Sequence, residues 1–300
     1  MIETKHLRSF CALAETLHFG RAADRLNLSQ PPLSRQIAAL ERDLGIALFK
    51  RSSRSVALTA GGAQLHADAK AILGLLEQAR KNATAAERGE VGALQIGFTS
   101  CAAYNVVPRI VRAYSSAFPD VRFTIREQLP GDLSTHLIEG KIDAAIMFPP
   151  ENAQALNLRT VYTEPLCAAL PEAHPLAKKR KIAIAELADT PFVIAPRAIA
   201  PSLYDAIIGH CHTGGFTPQV RLETRLQQTI LNLVAEGVGV ALLPRSMKKA
   251  RLSGAVFRPI QDAPLVHQVV AWPKRELNPC LQGFLNLLSA SPQCRPASSP

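Results

Sequence analysis

The chain contains no apolar run approaching the roughly 18–20 residues that cross a bilayer. Its first ten residues set Glu3, Lys5, His6 and Arg8 among apolar neighbours, so no secretory leader is read there and a cytoplasmic protein is expected. The six cysteines (Cys11, Cys101, Cys167, Cys211, Cys280, Cys294) include no CxxC pair, and a reducing compartment argues against structural disulfides. Proline and glycine follow no short period, which excludes collagen-like and low-complexity classes. P-loop, GxGxxG, GxSxG and HExxH patterns are missing. No catalytic residue, metal or cofactor is therefore assigned, and an enzyme is not expected.

What is present suits folded domains. Hydrophobic residues are 47% of 300, enough for a core in each of about two domains. The net charge of +10 favours a polyanion or an anionic ligand as partner. Leu7, Phe10, Ala14 and Leu17 repeat at helical spacing. A short helix from about Gly20 to Leu26 and a turn at Asn27-Leu28 follow. Ser29 then reads as an N-cap, and Pro31 and Pro32 stand in a first helical turn, where a missing N–H costs little. Leu33, Ile37, Leu40 and Leu44 form one stripe of this third helix, which Gly45 ends. Two short apolar stretches around the basic tip 50–55 predict a hairpin. Leu65, Ala69, Ile72, Leu76, Ala79, Ala83 and Ala86, spaced 4, 3, 4, 3, 4, 3, predict a heptad seam for a second copy of the chain. The alternative is an amphipathic helix lying on its own domain.

Glycines and charges at 87–92 mark a boundary. Beyond it strands and helices alternate, which predicts α/β sheets with parallel strands in two halves. Strands are expected near Leu94–Phe98, Val121–Glu127, Asp143–Phe148, Arg159–Thr163, Leu166–Leu170, Phe192–Ala195, Val220–Thr224 and Val238–Leu243. The tail 291–300 is expected to be disordered.

Two short helices across a tight turn, the second opened by Ser and Pro, form a helix-turn-helix pattern. Such a second helix enters a major groove about 12 Å wide, N-terminal residues first. Gln30, Pro31, Pro32, Ser34 and Arg35 are the base-reading candidates: Gln suits adenine, Arg guanine, and proline a thymine methyl. Lys50, Arg51 and Arg54 on the hairpin, with Arg21, are candidates for phosphate contact. Residues 19–59 carry seven Arg and Lys against three acids, a local excess of +4.

The wording Phe19-Gly20-Arg21-Ala22-Ala23-Asp24-Arg25-Leu26, Leu28-Ser29-Gln30-Pro31-Pro32-Leu33-Ser34-Arg35-Gln36-Ile37, Leu40-Glu41, Leu48-Phe49-Lys50-Arg51 and Leu58-Thr59 resembles the LysR-type transcriptional regulators. Leu17-His18-Phe19-Gly20-Arg21 and Ser29-Gln30-Pro31-Pro32-Leu33-Ser34 resemble the subgroup that controls aromatic-acid catabolism. Ile96-Gly97-Phe98, Leu170-Pro171-Glu172-Ala173-His174-Pro175-Leu176 and Gly237–Pro244 carry the resemblance into the second domain. It implies an α+β multidomain chain: a winged helix-turn-helix (1–60), a dimerisation helix (61–90) and a two-lobed α/β effector-binding domain of periplasmic-binding-protein type (91–290). Lobe I is expected at about 91–164 and 268–290, lobe II at about 165–267. The implied partners are double-stranded promoter DNA, a small-molecule effector, further copies of the chain in a homodimer or tetramer, and RNA polymerase as a further candidate.

A ligand of two α/β lobes sits near strand C-termini and helix N-termini. Thr99 and Ser100 follow the first strand of the second domain, and their hydroxyls and free N–H groups can hold a carboxylate. The resemblance places the first ligand contact there. A second family contact is usually a hydroxyl where this chain has Leu129-Pro130, which implies either a lost carboxylate contact or a less polar effector. Phe148 is a candidate wall and Arg197 a candidate counter-charge, with Thr224, Gln228 and Thr229 further candidates. Cys101, beside the cleft, is a weaker candidate for a redox thiol. A solute-binding protein and a small-molecule enzyme are the rival classes.

Overall fold

The structure, a computed structural model, describes residues 2–52, 55–275 and 277–290. Arg54 and the tail 291–300 lie outside them. The chain divides into two compact units, Met1–Ala85 and Ala86–Pro300.

In the first unit α1 (Thr4–Thr16), α2 (Phe19–Arg25) and α3 (Gln30–Leu44) surround a core of Phe10, Leu13, Leu33, Ile37, Leu40 and Leu48. Leu33, Ile37 and Leu40 are wholly buried; each contributes about 1.5–3 kcal/mol of transfer free energy. Leu17 departs from its expected place in the stripe of α1. It is the left-handed cap (φ 50°) that ends the helix, and it is exposed. α2 is capped by His18, whose Nδ1 accepts from the Arg21 N–H at 3.2 Å. Ser29 holds the N-cap position of α3, but its side chain makes no capping bond. Gly45 (φ 69°) ends α3.

A hairpin follows, β1 (Phe49–Arg51) against β2 (Val56–Leu58), antiparallel with Phe49 opposite Leu58. Thr59 locks it to the next helix, α4 (Ala60–Glu87): its hydroxyl donates to Ala47 O at 2.8 Å and accepts from the Gly62 N–H at 2.9 Å. A Cβ on Gly62 would lie 2.2 Å from Leu48 O, so only glycine lets α4 approach the hairpin this closely.

The second unit is built on a seven-stranded sheet. β3 (Gly92–Phe98) runs parallel to β4 (Val121–Glu127) and β5 (Ala144–Met147). The long β6 (Leu156–Pro171) first pairs with β11 (Leu265–Pro273), itself antiparallel to β5. It then pairs with β9 (Ala241–Pro244) and β10 (Ala255–Pro259). The two strands expected over 159–170 are thus one. Pro165 reads as a break, but the ladder absorbs it: Pro165 lies opposite Leu265, and the Leu166 N–H bonds Pro264 O at 3.2 Å. β7 (Pro191–Ile194) and β8 (Gln219–Glu223) form a separate parallel pair.

Helices α5 (Ser100–Ala103), α6 (Val106–Ala117), α7 (Pro130–Glu139) and α10 (Pro279–Ala290) belong to the half built on β3–β5. Tyr114 anchors that core, its hydroxyl donating to Cys280 O at 3.0 Å and its ring packed by Phe118, Phe123 and Phe284. Helices α8 (Pro201–Thr213) and α9 (Gln227–Ala235) belong to the other half, whose core includes Phe192, Leu203, Leu231 and Leu242.

Candidate functional sites

The outer face of α3 is built by subtraction. Once Leu33, Ile37 and Leu40 turn inward, Gln30, Pro31 and Arg35 are left exposed, and Pro32 and Ser34 half-buried. Gln36 is taken by an internal bond from the Ser9 hydroxyl. Lys50 is exposed on the hairpin. Arg51 is not free to serve as a simple phosphate contact. Its guanidinium pairs with Glu41 at 2.7 Å and lies 5.3 Å from the Phe19 ring centroid. Glu41 also accepts from the Leu48 and Phe49 N–H groups at 2.9 and 3.2 Å, so Arg51 fixes the hairpin to α3. Arg21 likewise donates to Thr16 O at 3.0 Å.

On α4 the expected seam divides. Ala69 is buried and Leu65 half-buried against the unit's own core, because the first turns of α4 lie on α1 and the hairpin. Those two positions are corrected from partner-facing to core. Beyond them Ile72 and Leu76 are 49% and 47% exposed, and Ala79, Ala83 and Ala86 are exposed too. Leu75, 71% exposed and outside the expected seam, joins this bare stripe.

In the second unit, residues at the C-terminal ends of parallel strands converge on a cleft of about 790 Å³. Thr99 and Ser100 follow β3, Leu129 and Pro130 follow β4, and Phe148 follows β5; Thr224 to Gln227 follow β8. This is where an open α/β sheet leaves its N–H groups unpaired. Helices α5, α7, α8 and α9 all begin at the cleft, with Thr99, Leu129, Ala200 and Leu226 as their N-caps, and none has a side-chain capping bond. Their first-turn N–H groups, except at Pro130 and Pro201, which have none, are available to a ligand, and the longer α7, α8 and α9 add partial positive charge. Two buried polar atoms, Thr99 Oγ1 and Gln227 Oε1, have no hydrogen-bond partner. Arg225 is the cation of the lining; Glu127 and Asp132 are its carboxylates, and all three are exposed.

Thr99, Ser100, Leu129, Phe148 and Thr224 line the cleft as expected, while Arg197 and Gln228 do not. Arg197 is half-exposed and already neutralised, bound by both oxygens of Asp205 at 2.9 Å and by Glu151 at 3.0 Å. Gln228 turns away, accepting from the Tyr104 hydroxyl at 2.8 Å. One residue is about 100° of helix, and it is Gln227 that faces the cleft. Cys101 also lines it but is buried; burial above all, then the charges of Glu164 and Glu127, pushes its thiol well above the ordinary range. A thiol held protonated is a poor nucleophile, which counts against a redox role. His210 and Cys211 are buried on α8 while His212 is exposed, so the three point apart. Among the described residues no helix is long and apolar enough to cross a membrane.

A small helix-turn-helix unit and, in the same chain, a second unit with a two-lobed cleft are the organisation of a ligand-responsive DNA-binding regulator. Residues 4–63 match the family described as bacterial regulatory helix-turn-helix protein, lysR family, and residues 87–293 match the LysR substrate binding domain. The chain is 40% identical to the uncharacterized HTH-type transcriptional regulator YnfL of Escherichia coli K12, over 96% of this chain and 99% of that protein. It is 37% identical to the HTH-type transcriptional regulator AlsR of Bacillus subtilis 168, over 95% of each. Its fold is similar to that of full-length CbnR in complex with target DNA (TM-score 0.82, 26% identity, 96% of this chain and 99% of that one). The chain belongs to the LysR family of transcriptional regulators, DNA-binding proteins that carry an effector-binding domain.

Proposed function

We propose that the protein is a promoter-binding regulator whose effector is a small organic acid with an apolar, aromatic-sized body, held in the cleft. The observation that carries this reading is the convergence of four uncapped helix N-termini on one cleft, beside the unpartnered Thr99 Oγ1 and Gln227 Oε1. The helix N–H groups and the Thr99 hydroxyl call for an anion that accepts several hydrogen bonds, while Gln227 Oε1, an acceptor, calls for a donor such as a hydroxyl on the same ligand. Phe148, Leu129, Ile199 and Leu226 supply apolar wall. Glu127 and Asp132 set a limit, since they disfavour ligands of high negative charge. A monocarboxylate with a ring or branched chain satisfies both conditions, in keeping with the aromatic-acid subgroup.

Gln30, Pro31, Pro32, Ser34 and Arg35 are the proposed base-reading surface, with Lys50 beside them. The bare stripe of α4 from Ile72 onward is the proposed contact with a second copy of the chain. Such pairing suits a partly symmetric promoter site. An acid acts in this scheme only through its different affinity for two arrangements of the lobes. The test is a footprint of the protein on DNA upstream of its own gene, with and without a panel of aromatic and aliphatic carboxylates. A protected site whose extent shifts with a monocarboxylate supports the reading. Protection that no acid in the panel alters, with no acid raising the melting temperature, rejects it.

A further inference from the structure

The second unit carries another concave surface, which shares no lining residue with the cleft. It is a depression of about 740 Å³ walled by Arg109 of α6 and by Arg245, Lys248, Lys249 and Arg251, with Ser246 at its floor. All five cations are exposed, and no carboxylate lines the depression. Residues 245–250 form a 3-10 helix, in which positions three apart eclipse. Arg245 and Lys248 therefore stand in one column, roughly 6 Å apart along the axis at about 2 Å rise per residue. Arg251, the left-handed cap (φ 50°) that ends this helix, lines the same depression. Lys248 and Arg251 make no ion pair among the described residues. Like charges so close repel one another unless an anion sits between them.

The floor is tied to the junction of the two halves. Glu164, buried on β6, accepts from the Ser246 N–H at 2.5 Å, from Ser246 Oγ at 2.8 Å and from Asn105 Nδ2 at 3.2 Å. Those bonds engage both of its oxygens from within, while burial pushes its carboxyl above the usual carboxylate range. Asn105 caps α6 in one half, and Ser246 belongs to the other. Lys249 Nζ adds a bond to Tyr104 O at 2.7 Å, and the Tyr104 hydroxyl bonds Gln228, next to the cleft-lining Gln227.

We infer that this depression is a second ligand site, for a small molecule carrying two or more linked phosphates. A row of cations with no acid among them suits a multiply charged anion, as the cleft with Glu127 and Asp132 does not. Its volume is that of a small-molecule pocket, and its concavity suits a compact ligand better than a duplex. Because its walls come from both halves, occupancy would favour one lobe arrangement and give the regulator a second input.

The experiment titrates inorganic pyrophosphate into the full-length protein by calorimetry, with sulfate at matched ionic strength as control. The expected result is saturable binding, one per chain, weakened about tenfold or more in Lys248→Ala/Arg251→Gly. Glycine is at ease at φ 50°, so this variant should melt no lower than the parent. Thr99→Val and Arg35→Ala should bind pyrophosphate like the parent. No binding, equal heats with sulfate, or full affinity in the double variant would overturn the inference. Loss in Thr99→Val would move the ligand to the cleft, and loss in Arg35→Ala would move it to the helix-turn-helix; either overturns it. So would capture of duplex DNA by this face, in the Arg35→Ala background, without any response to pyrophosphate.

Discussion

The face of α3 and the cleft solve recognition in opposite ways. On α3 the proposed contacts are successive residues of one helix, projecting outward because their neighbours are buried. The cleft is assembled from segments near 99, 129, 148, 199 and 225, brought together by strand order. A contiguous surface tolerates substitution in its exposed residues, because packing does not depend on them. An assembled one mixes ligand contacts with supports such as Tyr104 and Gln228 that never face the ligand. A given loss of function therefore carries different meaning in the two places, and substitutions can tell them apart.

The largest effect is expected on α3. Arg35→Ala should remove about 1–3 kcal/mol of base discrimination and leave oligomer size unchanged. Competition between cognate and scrambled duplexes measures it, and an unchanged preference would show that α3 does not read bases. Next comes α4. Leu75→Glu/Leu76→Glu should shift the sedimenting species toward monomer, since each glutamate would bury an unpaired charge in the pairing face. A species of parental size would reject the bare stripe as an interface.

In the cleft Thr99→Val should split two readouts. The free protein should melt slightly higher, because an unpartnered buried hydroxyl costs about 1–3 kcal/mol. Affinity for the acid that shifts the footprint should fall by a similar free energy, with DNA affinity unchanged. If melting temperature and ligand affinity fall together, Thr99 is a packing residue instead. Gln227→Leu and Gln228→Leu make a matched pair: the first should weaken the acid more than the second, as titration by fluorescence or calorimetry can show. The smallest effect is expected from Arg197→Ala. Its ion pairs are solvent-exposed, where screening leaves such pairs little net worth, and ligand affinity should not change.

The same contrast explains what could be read from the sequence. The stripe Leu33, Ile37, Leu40 dictates which face of α3 is outward, so its candidate residues needed only the helical period. Thr99, Ser100 and Phe148 were legible because they end apolar strands. Gln227 was not: choosing it over Gln228 requires the phase of α9 to within one residue. Arg197 stands after the expected strand, but Asp205, eight positions on, and the distant Glu151 claim it. A heptad pattern marks a helix face without saying what covers it, so Leu65 and Ala69 could not be separated from Ile72 and Leu76. Pro165 looked like a boundary because a missing N–H is local information, whereas the two neighbours that hold β6 together lie about a hundred residues away.

That uninterrupted β6 bears on how the second unit can be cut. Its first part completes the sheet of one half, and its last part completes the sheet of the other. Any attempt to produce a half by itself must sever β6 or leave a strip of it without hydrogen-bonded neighbours, an exposed edge prone to aggregation. Limited proteolysis should therefore release residues from about 88 to 290 as one resistant fragment. For protein engineers who graft new sensing onto such regulators, the smallest exchangeable part is the pair of halves.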